Sequence, residues 1–139
     1  MSRFVLDASA ALGWVADNPP SPYALKIKQS LLNGARAVVP TLWHLEMANW
    51  FAIAQRRRVL DESEANRVLS ALDVIVARAI DTETEVVSVR QVLHIANRFR
   101  LSAYDAAYLY LAQHESLPIA TLDDRLRTAA KTVGVELFQ

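Results

Sequence analysis

Short apolar runs, each separated from the next by a stretch with helical spacing, constrain this chain more than any other feature. The runs are FVL at residues 4–6, AVV at 37–39, VARAI at 76–80, LPIAT at 117–121 and VELF at 135–138. Runs this short and this apolar, alternating with helices, read as strands of a parallel sheet covered on both faces. Helix punctuation lies between them. Ser21 followed by Pro22 is an N-cap with proline at the first helical position, and Gly34 stands where that helix would end. Thr41 starts a helix that runs to about residue 57. Asp61 with Glu64, and Thr82 with Glu85, have capping-box spacing. Ser102 opens a strongly apolar helix to about residue 113, and Asp123 or Asp124 opens a short one to about residue 132. The expected fold is α/β: a single domain over residues 1–139, three-layer αβα, with a central parallel sheet of about five strands. A ligand site in such a sheet lies beyond the carboxyl ends of the strands, near the point where strand order reverses.

Composition narrows the chemistry. There is no cysteine, which excludes disulfides, thiol catalysis and thiolate-bound zinc. His44, His94 and His114 have neither HxxxH nor HExxH spacing, so a histidine zinc site is not expected. The formal net charge is zero, so an anionic partner must be met by a local basic patch. No run approaches the ~20 apolar residues of a membrane span. The N-terminal apolar stretch is broken by Asp7 and carries no clear cleavage site, which points to a soluble, cytoplasmic protein without a membrane partner.

The acidic residues carry the strongest signal. Asp7 ends the first strand, Asp123 follows the fourth, and Asp105 lies in the first turn of the apolar helix. Glu46 lies in the helix that follows the second strand, on a stripe with Leu42, Leu45, Asn49 and Ile53. Singly, each has an ordinary explanation: a helix cap, a turn residue, or a glutamate at the edge of a stripe. Together they fall on one rim of a parallel sheet. Carboxylates gathered there repel one another unless a divalent cation compensates them, and all-oxygen ligands suit magnesium or manganese. Ser9 and Thr121 offer hydroxyls, and Asn49 an amide, to a second layer around such an ion. With no thiol, no GxSxG elbow and no serine–histidine pair, a metal-activated water is the nucleophile best supported. Hydrolysis of a phosphodiester is the matching reaction.

The segments VLDASA (residues 5–10), Glu46 with Asn49, LSAYDAAYLYLA (101–112) and LPIATLDDRL (117–126) resemble the PIN-domain ribonucleases. More narrowly, they resemble the VapC-type toxins of toxin–antitoxin pairs. The likeness covers essentially the whole chain in order and size. It implies a metal site of Asp7, Glu46, Asp105 and Asp123 that binds Mg2+ or Mn2+, and endonucleolytic cleavage of RNA. Ser9, Thr121 and Asn49 match polar positions near that site. Asp124 matches none and is left as a cap or auxiliary. The resemblance also implies a homodimer inhibited by a VapB-type antitoxin.

Candidate RNA contacts are Arg56, Arg57 and Arg58 at the end of the Glu46 helix, and Arg98 and Arg100 before Ser102. All five also suit solvated helix ends. Trp14, Trp43 and Trp50 suit base stacking less well than core or interface packing, and Trp43, Trp50 and Phe51 fall at or beyond the edge of the Glu46 stripe. Two other readings remain open. A phosphatase of the haloacid-dehalogenase type also places an aspartate after its first strand, but it wants a second acid where this chain has Ser9. A non-catalytic PIN-like binding module would keep the fold and lose the reaction.

Overall fold

The computed structural model describes residues 2–139. The described residues form four strands, β1 (Arg3–Leu6), β2 (Arg36–Pro40), β3 (Ile80–Glu83) and β4 (Ile119–Ala120). Around them run α1 (Ala8–Val15), α2 (Pro22–Leu32), α3 (Thr41–Arg56), α4 (Glu62–Ala79), α5 (Val89–Phe99), α6 (Ala103–Glu115) and α7 (Asp124–Thr132). All strand pairs are parallel, in the order β3-β2-β1-β4. The result is a three-layer α/β fold. Phe4, Val5, Leu6 and Ile119 are completely buried, as strands covered on both faces require.

The sheet has four strands where about five are expected. Residues 135–138 make a single parallel bridge, Leu137 to Ile119. β4 is two residues long, so it offers a neighbour only one rung. Phe138 instead stacks on Phe4, with ring centroids 3.9 Å apart.

The third strand begins later than the sequence suggests. Residues 76–79 belong to α4, and β3 starts at Ile80. Leu72, Ile75 and Ala79 are buried at helical spacing, so packing carries the helix through the apolar run. Thr82 therefore lies in β3 and caps nothing. α5 opens at Ser88, whose Oγ accepts from the Gln91 N–H at 3.2 Å. Asp81 in β3 is held by a two-pronged bond from Arg36 of β2, Nε at 2.8 Å and Nη2 at 2.7 Å.

The chain builds outward from β1 through β2 to β3, then returns to place β4 on the other side of β1. Strand order thus reverses between β1 and β4, and the crevice for a ligand opens past their carboxyl ends. Gly13 permits the close packing behind it. A Cβ there would lie 2.8 Å from the Ala24 Cβ and 2.7 Å from the Leu122 Cδ1. Gly13→Ala is expected to lower stability by about 1–2 kcal/mol in urea unfolding, because overpacking against the Ala24 methyl, which has no torsion to move it aside, outweighs the gain in helix propensity. An increase in stability would show that α1 and α2 can part at no cost.

Candidate active site

Asp7 leaves β1 pinned on both sides. Its N–H donates to the Ala120 carbonyl at 3.0 Å, closing the last rung to β4. It occupies the N-cap position of α1, yet its carboxylate caps nothing. Instead Oδ2 accepts from Ser9 Oγ at 2.6 Å and from Thr121 Oγ1 at 2.7 Å. Each hydroxyl has one proton, and these short bonds use both. The 3.2 Å approach of Ser9 Oγ to Thr121 Oγ1 is then a contact between acceptors. Both oxygens accept from the next loop, Ser9 Oγ from the Leu122 N–H and Thr121 Oγ1 from the Asp123 N–H. The strand-end loops are thereby tied together, and Asp7 Oδ1 is left without a hydroxyl partner. Asp7 is 3% exposed. Burial pushes its carboxyl up, the two hydroxyls oppose this, and the charge of Asp105 adds to it.

Glu46 reaches the same region from α3. Its Oε1 accepts from the Tyr108 hydroxyl at 2.6 Å. Half-burial raises its carboxyl; Tyr108 lowers it; the charges of Asp7 and Asp105 raise it again. The Tyr108 phenol is completely buried and pushed far up, chiefly by burial and then by Glu46, so it keeps its proton and donates. Asp105 stands in the first turn of α6, where its N–H donates to Ser102 Oγ at 3.1 Å. Its carboxyl is raised by burial and then by the charge of Asp123, while Ser102 lowers it. Asp123 caps α7, its Oδ1 accepting from the Leu126 N–H at 2.9 Å. Asp124 is exposed in the first turn of the same helix.

These couplings gather the four acids into one electrostatic neighbourhood: Asp105 acts on Asp7, both act on Glu46, and Asp123 acts on Asp105. As the side chains lie, no three acidic or histidine groups among the described residues are placed to grip one ion. The chemistry of the donors nonetheless fits a hard divalent cation. All are oxygens, they burden one another with like charge, and Asp7 and Glu46 each keep one carboxylate oxygen clear of hydroxyl groups.

The other sequence candidates lie further out. The stripe assigned to α3 is wrongly phased: Leu45 is 65% exposed, and Asn49 and Ile53 also face solvent. The core face is Trp43, Met47, Phe51 and Ala54, so Trp43 packs in the core, in line with the core or interface packing expected of it, and Phe51 joins it there. Trp14 and Trp50 are half-buried. Arg56, Arg57, Arg58, Arg98 and Arg100 are all exposed. Arg58 and Arg100 adopt left-handed backbone conformations, φ 58° and 53°. Tyr108 is the site residue that sequence reasoning missed. Its signal was available: a tyrosine three residues after Asp105, on the same face of a helix otherwise apolar, needs a partner for its hydroxyl.

Residues 4–132 match the PIN domain family. The chain belongs to that family. Among solved structures, this PIN domain is similar to PAE2754 from Pyrobaculum aerophilum, at 21% identity and a TM-score of 0.69, over 92% of this chain and 79% of that one. It is also similar to FitAcB from Neisseria gonorrhoeae, at 18% identity and a TM-score of 0.63, over 98% of this chain and 96% of that one. At these identities the likeness shows a shared fold. No curated protein matches in sequence. PIN domains are generally nucleases. Among the described residues, no helix is long and apolar enough to cross a membrane.

Proposed function

We propose that this PIN domain is a metal-dependent endoribonuclease and the toxin of a type II toxin–antitoxin pair. The carrying observation is Asp7, a buried carboxylate with no cation of its own. Among the described residues the one ion pair is Arg36–Asp81, remote from the crevice on β2 and β3. A buried charge left in this way is strongly unfavourable unless something else compensates it. Asp7, Glu46, Asp105 and Asp123 would hold Mg2+ or Mn2+ as that compensation. When bound, the ion supplies the charge that makes water nucleophilic and eases the build-up of negative charge on a phosphate. The chain's own residues do the rest. Ser9 and Thr121 fix the rotamer of Asp7 through Oδ2. Asn49, exposed one turn after Glu46, is available to polar groups of a bound strand. Arg56, Arg57, Arg58, Arg98 and Arg100 supply phosphate contacts, so RNA binding should weaken steeply with salt.

A homodimer and a VapB-type antitoxin belong to the same reading. Val86, Val89, Leu93 and Tyr104 are exposed apolar side chains around a cavity of about 540 Å3 between α5, α6 and the start of α3, a surface open to either partner. The phosphatase alternative has little left to support it, because Ser9 serves Asp7 as a hydrogen-bond donor where that chemistry needs an acid.

The test is cleavage of mixed RNA by the purified chain in Mg2+ or Mn2+, beside EDTA and beside Asp105→Asn. Cleavage is expected only with metal, and Asp105→Asn should reduce it by about 100-fold or more. Cleavage that survives EDTA would overturn the metal-dependent reading. Metal binding without cleavage of any RNA in the mixture would favour the non-catalytic module.

A further inference from the structure

Asp7 is held by hydroxyls from its own strand ends, but Glu46 has no such neighbour in sequence. Its hydroxyl comes from another helix, α6. Tyr108 Oη donates to Glu46 Oε1 at 2.6 Å, across a sequence separation of 62 residues. We infer that Tyr108 is the positioning residue of the site, holding Glu46 Oε1 so that Oε2 is the oxygen presented to a divalent cation. The inference rests on the metal-dependent reading above and adds a residue to it.

Three features carry it. Tyr108 is completely buried in α6, a helix that packs across β1, β2 and β4, so its ring has no freedom to drift. Glu46 is half-buried and turns about three side-chain torsions; without a fixed donor it is free to swing toward water. Tyr108 also lies three residues after Asp105, so one helix face sets the place of both. The donor's chemistry suits the task. A lysine or arginine at this point would neutralise Glu46 and compete with a cation. A phenol directs the carboxylate and leaves its charge in place. Asp7 is treated in the same way by Ser9 and Thr121, so neutral hydroxyls hold one oxygen of each acid.

A merely structural tyrosine would use Glu46 to satisfy its own hydroxyl and have no bearing on the cation. A double-mutant cycle separates the two roles. Mn2+ would be titrated by calorimetry into the full chain as wild type, Tyr108→Phe, Glu46→Gln and the double variant, with metal-free thermal melts of each. Tyr108→Phe is expected to weaken Mn2+ binding about 10-fold in the wild-type background. In the Glu46→Gln background it should change affinity by less than about twofold, since the amide oxygen takes the Tyr108 hydrogen bond and an NH2 group, which binds no cation, stands in place of Oε2. The melts identify any variant whose loss reflects misfolding. An unchanged affinity in Tyr108→Phe would overturn the inference. So would an equal loss in both backgrounds, which would mean that Tyr108 acts other than through Glu46. Wild-type protein that takes up no Mn2+ would remove the metal site itself, and Tyr108's role with it, before any variant is compared.

Discussion

Asp7→Asn is expected to abolish RNA cleavage while raising the melting temperature of the metal-free protein. The two effects have one cause. Asp7 is 3% exposed and has no cationic partner among the described residues, so ionising it in the metal-free fold costs stability. An asparagine keeps the geometry, because its amide oxygen accepts from Ser9 and Thr121 as Oδ2 does. No cap is lost, because the Asp7 carboxylate does not cap α1. Removing the charge should stabilise the metal-free protein by ~1–2 kcal/mol, roughly 3–8 °C in melting temperature. Cleavage should fall by about 1,000-fold or more, because the same charge anchors the cation that the reaction needs. Calorimetric melting in EDTA and an RNA cleavage assay on one preparation check both halves. A variant that is less stable and still active would make Asp7 an ordinary turn residue. Stability gained together with activity lost is the mark of a site whose fold tolerates strain for function.

The parts of this molecule that were legible in the sequence are those whose causes are local. The Ser21–Pro22 start of α2 and the Asp61–Glu64 capping box each depend on groups within one helical turn, and both form as expected. The misreadings fall where a distant partner decides. Thr82 and Glu85 have the spacing of a cap, but pairing with β2 draws Thr82 into β3, and the Glu85 N–H turns to Glu83 Oε1 at 2.8 Å. Residues 76–79 are apolar enough for a strand, yet α4 keeps them because Ile75 and Ala79 find the core at helical spacing. On α3, hydrophobic residues occur on every face, so the stripe has no unambiguous phase until the sheet selects Trp43, Met47 and Phe51. The site divides in the same way. Asp7 and Thr121 sit just past strand ends and Ser9 in the first turn of α1, where chain order and sheet topology bring them together. The link from Tyr108 to Glu46 joins two helices far apart in sequence: a tyrosine one turn after Asp105 announces that its hydroxyl needs a partner, but nothing local names Glu46 as that partner.

Stability of the metal-free protein should carry a pH signature that Asp7→Asn erases in part and Mn2+ offsets. Asp7, Glu46 and Asp105 are all raised in the folded state above ordinary values of 3.8 for the aspartates and 4.5 for the glutamate, chiefly by burial. Between each ordinary value and its raised folded value, the native state binds more protons than the unfolded state. Stability contributed by these groups is therefore greatest in acid and falls as pH rises through that window, remaining lower above it. Asp81 works in the opposite sense. Arg36 lowers its carboxyl, so its contribution is present above the ordinary value and lost on acidification. That pair is partly exposed and small in effect. The comparison that isolates the site is wild type minus Asp7→Asn in EDTA, by urea unfolding from about pH 4 to pH 8. The gap should be widest near pH 8, with the variant more stable, and should close toward pH 4. Mn2+ at about 100 times its dissociation constant should then add ~2.7 kcal/mol to the wild type. At a fixed Mn2+ concentration the increment should shrink in acid, because protons compete for the same oxygens. An increment that is flat with pH, or equal in the Asp7→Asn protein, would place the ion elsewhere and leave the buried charge of Asp7 unexplained.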